Sequence, residues 1–263
     1  MTHATPDALS APDRQLRRIR HETRRRVLTV VSAEMLTPRM RRIGLHSADL
    51  DDFVSASPDD HIKIILPGTD GTTVMRDYTP RKFYKSARLL TVDFALHDAG
   101  PATAWALAAR PGDQLQIGGP RGSVVVPDTF DWVLLVGDET ALPAIGRRVE
   151  ELRAGVPVTT IVTVDAAAEI QTFETAARWR GHWLCRDTEG ADDTANAQRA
   201  IDLLFPKQGD GFVWIAGEAQ FARALRHHVL TRHHHPVQGM KAAGYWIRGA
   251  EGAHQPLDGE PGS

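Results

Sequence analysis

The feature that most constrains this chain is a change of hydrophobic period close to residue 130. From Val27 to Val126, apolar and polar residues nearly alternate in the runs "RVLTVVSAEM", "MRRIGLHS", "DHIKIILP", "TTVMRDYT", "ARLLTVDFALH" and "DQLQIGGP". Alternation at period two marks half-buried strands, and turn sequences such as "PGTDG" and "RPGD" separate the runs. Short strands at this spacing predict an antiparallel barrel or sandwich. One interruption, "PATAWALAAR", has the Ala and Leu content of a short helix. After "VVVPDTFD" the pattern becomes "WVLLVGDETALPAIGRRVEELRAGVPVTTIVTV": an apolar strand, a sharp turn, an amphipathic helix, a glycine stop and a second apolar strand. That is a βαβ unit, and strands apolar on both faces belong in a parallel sheet covered by helices. "GHWLCRD", "GFVWIAGEA" and "GMKAAGYWIRG" predict further strands, with "TANAQRAIDLLF" and "QFARALRHHVL" as helices. The expected fold is β + α/β: an antiparallel β-barrel over 24–128 and a Rossmann-like parallel-sheet domain over 129–249. A flexible basic lead-in (1–23) precedes them and a flexible tail (250–263) follows.

Several function classes are disfavoured at once. Cys185 is the only cysteine, so no disulfide within the chain is available and a reducing compartment is expected. No run approaches the roughly 20 apolar residues of a membrane span, and the first residues lack the apolar core of a secretory signal. A cytoplasmic protein without membrane insertion is the expectation. The basic cluster Arg14–Arg26 has no aromatic interleaving, and a formal net charge of -2 exerts no pull on a polyanion, so no nucleic-acid partner is expected. His233–His235 resembles a metal cluster only in composition. Adjacent histidines do not converge on one tetrahedral ion, and no Cys/His spacing nearby fits structural zinc. No metal site is expected. Neither GxSxG nor HExxH occurs, which leaves hydrolase readings without support.

Chemistry concentrates in a few motifs. In "RDYTPR", an extended backbone points Arg76 and Tyr78 to one side and Asp77 and Thr79 to the other. Arginine offers a phosphate a permanent charge and a fork of donors, while tyrosine lies against planar rings. Pro80 restricts Thr79 to extended geometry, and Arg81 is either a second ligand contact or solvent-facing. In "LHDAGPATAWALAARPGD", Gly100 permits a tight turn and Pro101 can open a helix. The free amides of Ala102 and Thr103 would then suit a pyrophosphate, with His97 beside the loop. "VGDETALPAI" sits at a strand–helix junction but lacks GxGxxG, and its carboxylates would repel phosphate. Asp138 and Glu139 suit ribose or adenine donors, or capping of Thr140–Ala141. The comparable turn "IAGEAQ" sets Ala216, Gly217 and Glu218 after another buried strand.

In this order, "HIKIILP", "MRDYTPR", "VDFALHDAGPATAWA", "PGDQLQIGGPRGS", "LLVGDETALPAI", "WIAGEA" and "GYWIRG" resemble the siderophore-interacting protein family of flavin-dependent ferric-siderophore reductases. The family falls within the ferredoxin–NADP reductase-like superfamily, and the likeness spans roughly residues 24–248. It implies a flavin-binding barrel and an NAD(P)H-binding-like α/β domain. By motif, Arg76, Tyr78 and Thr79 would hold FAD, and Gly100, Pro101, Ala102 and Thr103 would wrap its pyrophosphate near His97. Asp138, Glu139 and Thr140 would face the adenosine end, Ala216, Gly217 and Glu218 the nicotinamide side, and Tyr245 and Trp246 the flavin. Family members commonly continue "GYWR" where this chain has Ile247 before Arg248. Lys63, Lys241 and Arg248 are candidates for attracting an anionic ferric siderophore.

The implied reaction passes electrons from NADH, NADPH or a donor protein through FAD to siderophore-held Fe(III), releasing Fe(II). It needs no side-chain nucleophile or dedicated general acid, so no catalytic residue is assigned. A flavin reductase with another acceptor and a non-enzymatic siderophore-binding flavoprotein are the alternatives.

Overall fold

The computed structural model describes residues 14–68, 71–97, 100–190 and 192–249, together with the backbone of 255–256. The first lobe contains β1 (Arg17–Arg20), β2 (Arg25–Thr37), β3 (Met40–His46), β4 (Ile62–Pro67), β5 (Thr73–Tyr78), β6 (Lys82–Tyr84), β7 (Leu89–Ala95), α1 (Pro101–Ala108), β8 (Gln114–Gly118) and β9 (Gly122–Val125). Seven of these strands form one sheet in the order β5-β4-β8-β2-β3-β7-β6, and every pairing in it is antiparallel. Register shifts in β2, between Val30 and Ser32 and between Met35 and Thr37, are the irregularities that let a long strand bend. The sheet is rolled. Tyr78 of β5 and Phe94 of β7 are five strands apart in the order, a span of roughly 24 Å in a flat sheet. Their ring centroids are only 4.5 Å apart. Leu28, Ile43, Ile62, Ile64, Leu90, Val92 and Ile117 fill the interior, as the period-two reading requires.

The second lobe runs β10 (Trp132–Gly137), α2 (Leu142–Glu151), β11 (Pro157–Val164), β12 (Arg178–Cys185), α3 (Arg186–Glu189), α4 (Asp193–Leu204), β13 (Gly211–Glu218), α5 (Ala219–Arg232), β14 (Met240–Trp246) and β15 (Gln255–Pro256). Its sheet order is β12-β11-β10-β13-β14-β15, parallel except for the last pair. The order reverses between β10 and β13, so the crevice at their C-terminal ends is where a ligand of an open α/β sheet binds. Residues of β10 and β13 are buried throughout, with α2 covering one face and α4 and α5 the other.

Two expectations about the termini meet described residues. Within the lead-in, Arg17–Arg20 forms β1 and pairs antiparallel with β9. The basic run therefore includes a strand, because the backbone of Gly122–Val125 offers an edge for it and its arginines stay exposed. Within the tail, the backbone of 255–256 pairs with Ala243 and Gly244, and the rest of both termini lies outside the described residues. Among the described residues no helix is long and apolar enough to cross a membrane.

The lobes are joined by more than a linker. Met40 and Ala95 of the barrel belong to the same apolar cluster as Leu142, Ile145 and Val149 of α2. Around that seam α2 presents charged groups. Arg147 donates to Ser55 O at 3.0 Å and Pro80 O at 2.9 Å, both on the barrel.

Candidate active site

In "RDYTPR", Tyr78 stands opposite Ile62 and Arg76 opposite Ile64, whose side chains are in the barrel core, while Asp77 stands opposite Lys63. The alternation expected from an extended segment is present. Tyr78 packs on Phe94, and Phe94 packs on Trp105 of α1 at 5.7 Å between centroids. One phenylalanine thus brings the "RDYT" and "GPATAWA" motifs to the same wall. Burial pushes the Tyr78 phenol well above its ordinary pKa, so the ring stays neutral. Thr79 is buried.

Arg81 has neither of its expected roles. Its side chain is 4% exposed, and it forks onto Glu150 of α2, Nη1 donating to Oε2 at 2.9 Å and Nη2 to Oε1 at 2.5 Å. Asp93 lies 3.5 Å from its Nε. A planar guanidinium between two carboxylates from different elements is a latch between lobes.

Gly100 caps α1 and Pro101 occupies its first turn, so the amides of Ala102 and Thr103 fall among those an α-helix leaves without intrahelical acceptors. Thr103 is buried, yet its Oγ1 has no hydrogen-bond partner. Space around Gly100 is open, with no atom beyond its own stretch of chain within 4 Å of where a Cβ would stand. A buried hydroxyl without a partner, in a first turn whose amides are free and whose capping Gly100 faces open space, fits a pyrophosphate, which supplies acceptors. His97 is exposed at the entrance to this loop.

At the strand-end crevice, Asp138 is the hub. It is 3% exposed and accepts from Thr140 N at 2.9 Å, Thr140 Oγ1 at 2.5 Å, Glu218 N at 2.8 Å and Trp246 Nε1 at 2.8 Å. The capping of Thr140 anticipated from the sequence is present. Both carboxylate oxygens are engaged inside the protein, so Asp138 orients Glu218 and Trp246 across the point where the strand order reverses. Gly217 makes this approach possible: its φ is +148°, and a Cβ there would lie 2.6 Å from Asp138 Oδ2. Glu218 caps α5 through Gln220 N and Phe221 N and also accepts from Arg248 N at 3.3 Å. Ala216 is buried in the apolar layer beside Trp214, and Tyr245 meets Trp214 edge-on at 6.2 Å.

Glu139 pairs with Arg186, which also binds Asp165 and Asp193. Burial and the neighbouring Asp138 push the Glu139 carboxyl up to about 7, although Arg186 opposes the shift. Sequence reading missed Arg186, because it follows β12 while its partners follow β10 and β11 or begin α4.

The three candidate substrate cations differ in availability. Lys63 Nζ is 2.7 Å from Asp77 Oδ2. Lys241 pairs with Asp59, a barrel-loop carboxylate 5% exposed that also accepts from Trp214 Nε1 at 3.1 Å. Burial alone would raise the Asp59 pKa, but Lys241 and Arg148 outweigh it and hold the group well below the ordinary range. Arg248 is exposed, and its guanidinium has no ion partner among the described residues. Lys241 and Asp59 therefore hold the lobes together, leaving Arg248 the most available of the three.

Comparison with known proteins agrees with this architecture. A family profile described as siderophore-interacting protein matches residues 130–249, and one described as siderophore-interacting FAD-binding domain matches 29–73 and 67–124. The NADPH-dependent ferric-chelate reductase of Escherichia coli is 34% identical over 257 residues, covering 87% of this chain and 95% of its own length. Among solved structures, a siderophore utilization protein from T. fusca superposes with a TM-score of 0.83 at 35% identity, covering 92% of this chain and 98% of its own. The siderophore-interacting protein SipS from Aeromonas hydrophila gives a TM-score of 0.76 at 31% identity, with 87% and 94% covered. The chain belongs to the siderophore-interacting protein family, with an FAD-binding barrel followed by a Rossmann-like lobe.

Proposed function

We propose that this chain is an FAD-dependent ferric-siderophore reductase drawing its electrons from NAD(P)H. The observation that carries the reading is the paired wall of the barrel, where Tyr78 and Trp105 meet on Phe94 and the buried Thr103 hydroxyl lacks a partner. Bound FAD supplies the chemistry no side chain here can: it takes two electrons from a hydride donor and delivers them singly to ferric iron. The protein's part is binding and orientation. Tyr78 lines the ring site, Arg76 and the first turn of α1 hold phosphate, and Thr103 donates its hydroxyl to the same group. Asp138 fixes Trp246 and Glu218 at the crevice, so the donor side keeps one geometry. Arg248 attracts an anionic siderophore. The Fe(II) product binds hard oxygen ligands more weakly, and release follows. A pyridine-nucleotide donor assigns the reaction to the cytoplasm.

The test is anaerobic reduction of a ferric siderophore by the purified, FAD-loaded chain, with NADH and NADPH supplied separately and Fe(II) trapped as it forms. Flavin-dependent Fe(II) production is expected. A chain that cannot be loaded with FAD, or a loaded chain that yields no Fe(II) with either donor, overturns the proposal.

A further inference from the structure

At the opposite end of α5 from Glu218, three side chains from separate segments converge. Asp202 lies on α4, His228 lies in the penultimate turn of α5, and His233 follows its last residue. The Nε2 atoms of both histidines are 2.8 Å from the same oxygen, Asp202 Oδ1. All three potential ligand atoms lie within 4.8 Å of one another. The imidazoles are mostly buried, at 17% and 15% side-chain exposure, while Asp202 is 41% exposed and leaves one side open to water. Of the histidine run, only His233 takes part. His235 is buried and bonded to Gly239 O, so the trio is invisible to any reading of adjacent residues.

The His233 ring is held in place independently of an ion. His233 stacks on Phe205 at 4.1 Å with 18° between planes, and Phe205 meets Trp132 edge-on at 5.4 Å. His233 also caps α5, its amide donating to Val229 O. The last carbonyls of a helix carry partial negative charge, so its end favours a cation.

We propose that Asp202, His228 and His233 form a site for a divalent transition-metal ion of the zinc class that clamps the end of α5 onto α4. Two imidazole nitrogens and one carboxylate oxygen suit such an ion, whereas calcium and magnesium prefer all-oxygen sets. Zinc–ligand bonds of about 2.0–2.2 Å place tetrahedral ligand atoms roughly 3.2–3.5 Å apart. The histidine–carboxylate contacts therefore open by only about half an ångström. Each Nε2 now donates to the carboxylate and would surrender its proton on binding metal, with water completing the coordination shell. The 14 residues of α5 put this clamp about 20 Å from the Glu218 end, so the ion is structural and takes no part in iron reduction.

The test uses chelator-treated, FAD-loaded full-length protein titrated calorimetrically with zinc chloride, alongside Asp202→Asn and His228→Gln. The wild type is expected to bind one tight equivalent and to melt at a higher temperature with zinc present. Each variant should bind at least about tenfold more weakly and lose most of the zinc-induced shift, with FAD absorbance retained. Weaker binding in either correctly folded variant supports the site even if the other fails to fold. Zinc affinity within about threefold of wild type in the folded variants overturns the proposal. Absence of tight binding to the wild type does so as well.

Discussion

Replacing Arg81 by Ala tests whether the two lobes are latched where the structure indicates. The guanidinium is 4% exposed, makes a two-point hydrogen bond to Glu150 and approaches Asp93. Glu150 is 22% exposed and would be left without its main partner, whereas Asp93 keeps Arg42 through two further bonds of 2.7 Å. Breaking a buried pair by removing one partner costs about 3–5 kcal/mol, and the access of Glu150 to water places this case near 3 kcal/mol. For a chain of this size, that lowers the melting temperature by about 6–12 °C. Arg88→Ala is the matched control, since its Asp51 pair is exposed on both sides at 45% and 64% and should shift melting little. Thermal unfolding followed by circular dichroism and by flavin fluorescence reads both lobes. If Arg81→Ala melts within about 2 °C of wild type, the latch carries less than about 1 kcal/mol and the reasoning fails.

Asp138→Asn should put an amide NH2 in place of one carboxylate oxygen. Because Oδ2 accepts from both the Glu218 amide and the Trp246 indole, and Oδ1 from both Thr140 donors, the change leaves one of these pairs unsatisfied. A loss of about 2–4 kcal/mol and quenching of the ordered Trp246 signal are expected, checked by urea unfolding and tryptophan fluorescence. Arg248→Ala should raise KM for an anionic ferric siderophore several-fold with flavin affinity and melting unchanged; equal loss of flavin would assign the residue elsewhere. Lys241→Ala should instead lower stability, because buried Asp59 loses its principal counter-charge. Glu139 holds its proton more strongly in the fold than in the unfolded chain. Its contribution therefore falls as pH rises from its ordinary 4.5 to about 7, by at most about 3 kcal/mol. Glu139→Gln should flatten that decline in a pH series of unfolding curves, and an unchanged slope would count against the buried carboxyl.

The alternation of Val27–Val126 and the apolar strands after Trp132 were legible because each reports burial on one face or two. The "RDYT" and "GPATAWA" motifs could be read as a strand end and a helix start, but their meeting on Phe94 could not, since the sheet must first curl to bring β5 beside β7. Arg81 was misread for a related reason. Its neighbours in sequence point to a ligand, while its partner Glu150 is 69 residues away on α2. The sequence "RRVEE" in α2 did carry a signal, namely more charge than a helix beside an apolar strand needs. Lys241 was assigned to substrate from charge alone, and only the packing of β14 against the Asp59 loop reveals its ion pair. His233 was set aside because its immediate neighbours do not converge with it; its proposed co-ligands lie 5 and 31 residues away.

The division of charge in this fold follows from the reaction proposed for it. Passing electrons through a flavin to chelated iron needs no acid, base or nucleophile from the chain, so strongly polar residues can be used to fix geometry. Arg81–Glu150, Arg147 on Ser55 and Pro80, and Lys241–Asp59 all cross between the barrel and the second lobe. Each is directional, whereas the apolar seam of Met40, Ala95 and Ile145 would tolerate sliding. Apolar contact holds the lobes together, and the polar pairs choose one register. The register matters because the barrel wall carrying Tyr78 and the crevice carrying Trp246 belong to different lobes, and a ring held by one must meet a donor held by the other.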